Sequence, residues 1–335
     1  MSDMIKIAVD AMGGDNSPKK IIDGIIHNHQ SNKEVCYKIF GDQNKISEII
    51  KDKINKDFFE IFHTEHIVKS ADSPLEGAKR GKNTSMWLAI ESVKKKEADI
   101  VVSAGNTGAL LVISKLNLKM IENIDKPALS AVWPNKSGMN VVLDLGANIE
   151  CSEKNLTDFA IMGSSLFKSL FPKEQPKVAL LNIGSEDIKG NEIIKSAHKI
   201  LSEKKSNEFN FAGYVEGNNI MSGDVNVIVT DGFTGNIALK TAEGTANFIM
   251  KEVKNSMTSN IYGKILSFLN IKNIKKVKDK LDPRLYNGAI LIGLNSPVVK
   301  SHGSTDYIGF SNSLKVCEKI VNGSLIEKIK DNIIA

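Results

Sequence analysis

Five short loops carry the residues best suited to chemistry in this 335-residue chain. They are Asp10-Ala11-Met12-Gly13-Gly14-Asp15, Ser103-Ala104-Gly105-Asn106-Thr107-Gly108, Asp144-Leu145-Gly146-Ala147-Asn148, Asn182-Ile183-Gly184-Ser185-Glu186 and Asp231-Gly232-Phe233-Thr234-Gly235-Asn236. Glycine lets backbone N–H groups come close to an anion, and a helix that follows points its positive end at the same place. The chemistry this suits is the holding of a phosphate-like group. A single such loop is ordinary turn geometry; five of them favour a binding edge. None matches Gly-x-x-x-x-Gly-Lys-Ser/Thr, and no Gly-x-Gly-x-x-Gly follows the first strand. A Gly-x-Ser-x-Gly elbow is also absent from the chain.

Three side chains stand out near these loops. His302, in His302-Gly303-Ser304-Thr305-Asp306, reads as a general acid/base, as a donor to an anion, or as a capping residue, and these readings stay open. Lys189 follows Glu186-Asp187-Ile188 at an expected helix start, where a cation opposes the dipole. Either an anion lies nearby or the side chain reaches solvent. Cys151 has no histidine near it in sequence and reads as a small core residue, so no covalent nucleophile is evident.

The elements that position these loops alternate. Strands are expected at Ile5–Asp10, Val35–Phe40, Ile100–Ser103, Leu129–Trp133, Val141–Asp144, Val178–Asn182 and Val225–Thr230. Helical periodicity falls at Pro18–His29, Ser85–Lys96, Leu156–Phe171, Ile188–Glu203 and Ile237–Lys254. The alternation implies βαβ units and a parallel sheet covered on both faces, with all five loops opening at one carboxyl edge. The strands stop at Lys251–Lys280. There the apolar cluster of Ile261, Tyr262, Ile265, Leu266, Phe268, Leu269 and Ile271 precedes Lys272, Lys275, Lys276, Lys278 and Lys280. Two readings remain open for this segment: a helical hairpin packed on the body or on a partner subunit, and an interfacial element meeting anionic lipid.

Composition narrows the function classes. The net charge of +5 comes from lysine spread over the whole chain, which reads as a solvated surface, so no nucleic-acid partner is expected. Only Arg80 and Arg284 are arginine, which marks them as places where a planar fork is needed for phosphate or carboxylate. Three cysteines at scattered positions give neither a disulfide framework nor metal-ligand spacing, so no metal is expected. No leader is read at the N-terminus and no run of about 18 apolar residues occurs, so a cytoplasmic protein is expected.

Taken together, these motifs resemble the PlsX family of phosphate acyltransferases. The resemblance runs from Ile5-Lys6-Ile7-Ala8-Val9-Asp10-Ala11-Met12-Gly13-Gly14-Asp15, through Ser103-Ala104-Gly105-Asn106-Thr107-Gly108-Ala109, Asn182-Ile183-Gly184, Lys189-Gly190-Asn191-Glu192 and Asp231-Gly232-Phe233-Thr234-Gly235-Asn236, to His302-Gly303-Ser304-Thr305-Asp306. One segment departs: the family is often more basic around Lys79-Arg80-Gly81-Lys82, where this chain has Gly81.

The resemblance implies an α/β fold, three-layer α/β/α with a mostly parallel sheet like that of isopropylmalate dehydrogenase and phosphotransacetylase. Residues 1–335 would be one α/β acyltransferase domain, with a helical hairpin inserted at 251–280. It implies transfer of an acyl group from acyl carrier protein to inorganic phosphate, giving acyl phosphate for phospholipid synthesis. A homodimer is implied, held peripherally at an anionic membrane surface through Ile261, Tyr262, Ile265, Leu266, Phe268 and Leu269, with no cofactor. Lys189 and Asn236 are the implied active-site residues, assisted by His302 from the same cleft. Phosphate and substrate are expected at Asp10, Gly13, Gly14, Asp15, Arg80, Gly105, Asn106, Thr107, Asp231, Gly235 and Ser304. Phosphate is then the nucleophile and no catalytic triad is needed. A β-decarboxylating hydroxyacid dehydrogenase on the same architecture needs an arginine cluster, which two arginines cannot supply. A non-enzymatic scaffold leaves five polar loops unexplained, and a phosphotransacetylase acting on short acyl-coenzyme A is the closest chemical alternative.

Overall fold

Alternation within the first strand shows why a doubly covered sheet forms: Ile7 and Val9 point to one side and Ala8 to the other, all fully buried. The structure, a computed structural model, describes residues 4–79, 81–204, 206–262, 269–280 and 282–334. Its strands are β1 (Ile5–Asp10), β2 (Val35–Gly41), β3 (Phe59–His63), β4 (Ile100–Ser103), β5 (Ala128–Pro134), β6 (Met139–Leu143), β7 (Lys177–Asn182), β8 (Asn210–Glu216), β9 (Val227–Val229), β10 (Ala289–Ile292) and β11 (Val298–Lys300). They form one sheet in the order β3-β2-β1-β4-β11-β10-β5-β6-β9-β7-β8. The α/β class and the mostly parallel sheet are as expected; β3, β8, β10 and β11 are strands that the sequence reading did not find.

The strands do not all point one way. β3, β2, β1, β4 and β11 run parallel, and so do β6, β9, β7 and β8. Between these runs β10 is antiparallel to β11 and β5, and β5 is antiparallel to β6. Three reversals leave the two parallel runs opposed. The physical cause is the tight connection between β5 and β6. Asn135 Oδ1 accepts from Ser137 N (2.9 Å) and Gly138 N (2.6 Å), and Gly138 takes a positive φ of 155°. A two-strand hairpin necessarily reverses direction, whereas a helical crossover does not. The expectation that all five loops open at one edge is therefore corrected.

The helices are α1 (Lys19–Ser31), α2 (Gln43–Ile50), α3 (Pro74–Lys79), α4 (Ser85–Lys94), α5 (Thr107–Leu118), α6 (Glu153–Leu170), α7 (Glu192–Glu203), α8 (Gly232–Thr258), α9 (Ile271–Lys280), α10 (Tyr307–Asn322) and α11 (Leu325–Ile334). Caps set several of their starts. Ser152 and Asn155 form a capping box that opens α6 three residues before the expected Leu156. Asn191 accepts from Ile194 N and delays α7 to Glu192, which leaves Lys189 in the preceding turn rather than in the helix. Asp231 starts α8 at Gly232, so one helix of about 40 Å runs from the fifth loop into the segment read as a hairpin.

One face of the sheet carries a single core cluster reaching from Ile21 and Ile25 of α1 through Phe159 and Phe167 of α6 to Leu314 of α10. The other face is covered in two separate parts. α4 and α5 pack over β1, β4 and β11, while Ala238, Leu239 and Ala242 of α8 pack against Val142 of β6 and Ile228 of β9. Ile261, Tyr262 and Leu269 are exposed; Ile265, Leu266, Phe268 and also Arg80 lie outside the described residues. Among the described residues no helix is long and apolar enough to cross a membrane.

Gly163 of α6 sits directly on the strands, and a Cβ there would come within 2.6 Å of Val227 Cγ1 and 2.9 Å of Leu143 Cδ2. Alanine gains about 1 kcal/mol of helix propensity, while overpacking a tight core costs about 1–3 kcal/mol. Gly163→Ala is expected to destabilise the protein on balance, seen as a lower urea midpoint with an unchanged slope.

Candidate active site

The first and second loops meet at one edge of the sheet, organised by a buried carboxylate. Asp10, at the end of β1, accepts from Ser85 Oγ and Ser103 Oγ, both at 2.6 Å, and from Met12 N at 3.3 Å. Burial pushes its pKa up, and these hydrogen bonds oppose the shift. Ser103 Oγ in turn accepts from Gly105 N at 3.0 Å. Gly13 lies so close to the second loop that a Cβ would stand 2.5 Å from Gly105 N. Gly14 adopts φ +81°, wedged between the carbonyls of Ala104 and Gly303. Asp15 N donates to Gly303 O at 2.9 Å, which ties in the segment that follows β11.

His302 is on that segment. Its Nδ1 accepts from Ser304 N (3.3 Å) and lies 3.0 Å from Ser304 Oγ, so the neutral ring carries its proton on Nε2. Partial burial, then the neighbouring Lys300, depress the imidazole pKa, with Glu243 opposing, which favours that neutral form. Two lysines that the sequence reading passed over belong to this edge. Lys20, in the first turn of α1, donates to Gly303 O, and Lys300, the last residue of β11, donates to Ser301 O. Lysine is so common in this chain that neither stood out. The available signal was Lys300 ending the apolar run Val298-Val299 immediately before Ser301-His302.

The other three loops open at the opposite edge, again around a buried carboxylate. Asp144 Oδ1 accepts from Leu129 N (3.0 Å), Gly146 N (3.2 Å) and Ala147 N (3.0 Å). Its Oδ2 accepts from Asn148 N and Asn148 Nδ2, both at 2.8 Å. Gly232 N donates to Asn148 O at 2.8 Å, and a Cβ on Gly235 would fall 1.9 Å from Asp144 O, so only glycine fits there. Asn236, exposed in the first turn of α8, donates through Nδ2 to Leu145 O at 3.1 Å. Lys189 is exposed in a turn whose backbone is pinned by Asn182 Nδ2 on Gly184 O (3.0 Å) and on Lys189 O (3.2 Å). β7 and β9 are paired, so the Lys189 and Asn236 loops are neighbours.

The chain thus brings Asp10, Gly13, Gly14, Asp15, Gly105, Asn106, Thr107, His302 and Ser304 to one edge, and Lys189, Asp231, Gly235 and Asn236 to the other. His302 thus follows a strand that runs opposite to those preceding Lys189 and Asn236. What joins the edges is α8: Lys240 and Glu243, four and seven residues beyond Asn236, act electrostatically on His302. Several expected contact residues have structural partners. Asn106 caps α5 through Ala109 N (3.0 Å) and donates to Ser70 O and Asp72 O, both at 3.0 Å. Asp231 caps α8 through Thr234 N and Thr234 Oγ1, both at 2.8 Å. Arg284 does use a planar fork, but on protein carboxylates: Nη2 to Asp282 Oδ2 at 2.6 Å and Nη1 to Asp306 Oδ2 at 2.9 Å. Burial pushes the Cys151 thiol up to about 11, the opposite of an activated nucleophile. Among the described residues no three His, Cys, Asp or Glu side chains gather as a metal site. A cavity of about 500 Å³ beside His198 and Phe209, at the β8 edge, contains none of the residues singled out from sequence.

Comparison with known proteins bears on this architecture. The profile of a family described as "Fatty acid synthesis protein" matches residues 5–328. The phosphate acyltransferase of Pelagibacter ubique (strain HTCC1062) is 72% identical over 333 residues, covering 99% of this chain and 100% of that protein. The phosphate acyltransferase of Paramagnetospirillum magneticum is 42% identical, covering 98% and 94%. Among solved structures, the EutD phosphotransacetylase from Staphylococcus aureus superposes with a TM-score of 0.63 at 16% identity, covering 96% and 94%. A phosphotransacetylase from Streptococcus pyogenes gives 0.63 at 15% identity, covering 98% and 95%; at these identities the likeness shows the fold alone. With the family profile and the relatives matching nearly end to end, the chain belongs to the fatty acid synthesis protein family, the PlsX family of phosphate acyltransferases.

Proposed function

We propose that the protein transfers a fatty acyl group from acyl carrier protein to inorganic phosphate, giving acyl phosphate and free carrier thiol for phospholipid synthesis. The observation that supports this best is the clasp of loops 10–15, 103–106 and 301–305, whose glycine backbone, α5 N-terminus and cationic side chains suit a small anion. In the reaction a phosphate oxygen attacks the thioester carbonyl, the C–O bond forms, and the C–S bond breaks as the thiolate leaves and takes up a proton. Phosphate is the nucleophile, which is consistent with the inert Cys151. The protein's part is positioning and stabilising the tetrahedral oxyanion. His302 Nε2–H, Asn236 and Lys189 are the proposed donors.

Because these donors sit on two edges, a homodimer fits the reading. Phe233, Ile237 and Phe248 are at least half exposed and lie within about 60° of one another around α8. An apolar stripe of this kind on the helix carrying Asn236 suits burial against a second copy. For the membrane, exposed Ile261, Tyr262 and Leu269 precede exposed Lys272, Lys275, Lys276 and Lys280, a pattern suited to peripheral contact with anionic lipid.

The deciding assay measures acyl phosphate formed from acyl carrier thioester and phosphate, with and without anionic vesicles. Turnover in that assay and protein co-sedimenting with the vesicles are expected. Turnover only with a short acyl-coenzyme A would favour the phosphotransacetylase chemistry instead. Lys189→Ala and Asn236→Ala should each lower kcat by about 10²–10³; a near-normal kcat would remove that residue from the mechanism. Activity with the acidic carrier should also fall more steeply with salt than activity with a small thioester, and equal slopes would exclude electrostatic steering.

A further inference from the structure

Two amines at the first edge form no direct ion pair: Asp15 acts on Lys20 and Asp10 on Lys300 only from beyond ion-pair distance. Lys20 is only 7% exposed, and its Nζ lies under Gly14, 2.9 Å from where a Cβ would be. Its hydrogen-bond partner is the neutral carbonyl of Gly303, and that of the partly buried Lys300 is the carbonyl of Ser301. Among the described residues neither amine has a carboxylate within ion-pair distance. The carboxylate of Asp10, the acidic group that acts on Lys300, is already bound by Ser85 and Ser103. A lysine has three donors, and each of these uses one on a backbone oxygen. Removing cations from water without an anion is costly, and here two sit close enough to disturb one another.

We propose that Lys20 and Lys300 form the seat of inorganic phosphate, their free ammonium donors holding the dianion at the rim where the Gly13–Gly14 loop meets the Ser301–Gly303 segment. The proposal rests on the reading of the protein as a phosphate acyltransferase and names the side chains that take the second substrate. Burial, then Lys20, push the Lys300 amine down to about 8, with Asp10 opposing, and a bound anion would raise it again. Lys300 and Lys20 both act electrostatically on His302, so phosphate held there is within reach of the field of a proposed oxyanion donor. The seat differs in kind from the glycine backbone around it. Backbone N–H groups accept any small anion, whereas two ammonium groups discriminate by charge and favour a dianion over the singly charged phosphodiester of a carrier's prosthetic arm.

The test uses Lys20→Met and Lys300→Met in the full-length protein, with inorganic phosphate as the probe in thermal unfolding and as the varied substrate in turnover. Wild type should gain Tm with phosphate. Each variant should unfold without phosphate at the wild-type temperature or above, because an uncompensated buried amine is gone, and should lose the phosphate-induced rise. The KM for phosphate should increase by at least about tenfold, since one hydrogen bond to a charged group is worth that much, while the KM for the acyl donor stays unchanged. A phosphate response like wild type in both variants would overturn the proposal. So would a fall in Tm without phosphate while phosphate still binds, which would make the lysines ties for the Gly303 segment. A rise in the acyl donor's KM alone would overturn it in favour of the prosthetic arm's phosphate. If wild type makes acyl phosphate and both variants keep its phosphate KM, the seat fails and the function stands. If wild type makes none yet its phosphate response depends on the lysines, the function fails and the seat stands.

Discussion

A carboxylate buried at the end of a central strand must collect hydrogen-bond donors, and this requirement shapes both functional edges of the molecule. Asp144 gathers five, four from backbone amides and one from the Asn148 side chain. Asp10 gathers two serine hydroxyls and one amide. Leaving such a group unsatisfied costs several kcal/mol, so the chain after each strand is drawn back around its carboxylate. The glycines follow from that. Gly13 and Gly235 stand where the returning backbone leaves no room for a Cβ. The loops that look like ligand cradles in sequence are therefore first of all solutions to a solvation problem, and they expose amides and side chains as a result.

The second governing feature is the reversal between β5 and β6. It divides the sheet into two opposed parallel runs and sends the Asp10 and Asp144 loops to opposite edges. α8 begins at one edge and carries Lys240 and Glu243 within electrostatic reach of His302 at the other. Within that helix Gly232 and Gly235 are the buried residues. The sequence marks the turn, since Asn135-Lys136-Ser137-Gly138 has turn composition. Its effect on every later strand is a property of sheet pairing, which no local window contains.

The two arginines and the many lysines illustrate how composition misleads and helps. Arg284 is kept where a planar fork must hold two carboxylates at once, one of them the cap of α10, and this is a purely internal task. Lys20 and Lys300, hidden among dozens of surface lysines, are the cations that have a site-like environment.

Residue types and spacing by themselves determined the α/β class, the positions of most central strands and helices, and the five glycine loops, because apolar period and turn chemistry are local properties. They also carried the family, since its motifs are short runs read directly. Where each loop points was decided only by the tertiary structure, because strand direction depends on pairing between distant segments. Pairing likewise decided the short strands β10 and β11, which are too brief to show a period of their own. The environment of an ionisable group was settled the same way: Lys20 differs from Lys19 only in that folding places it under Gly14, out of water.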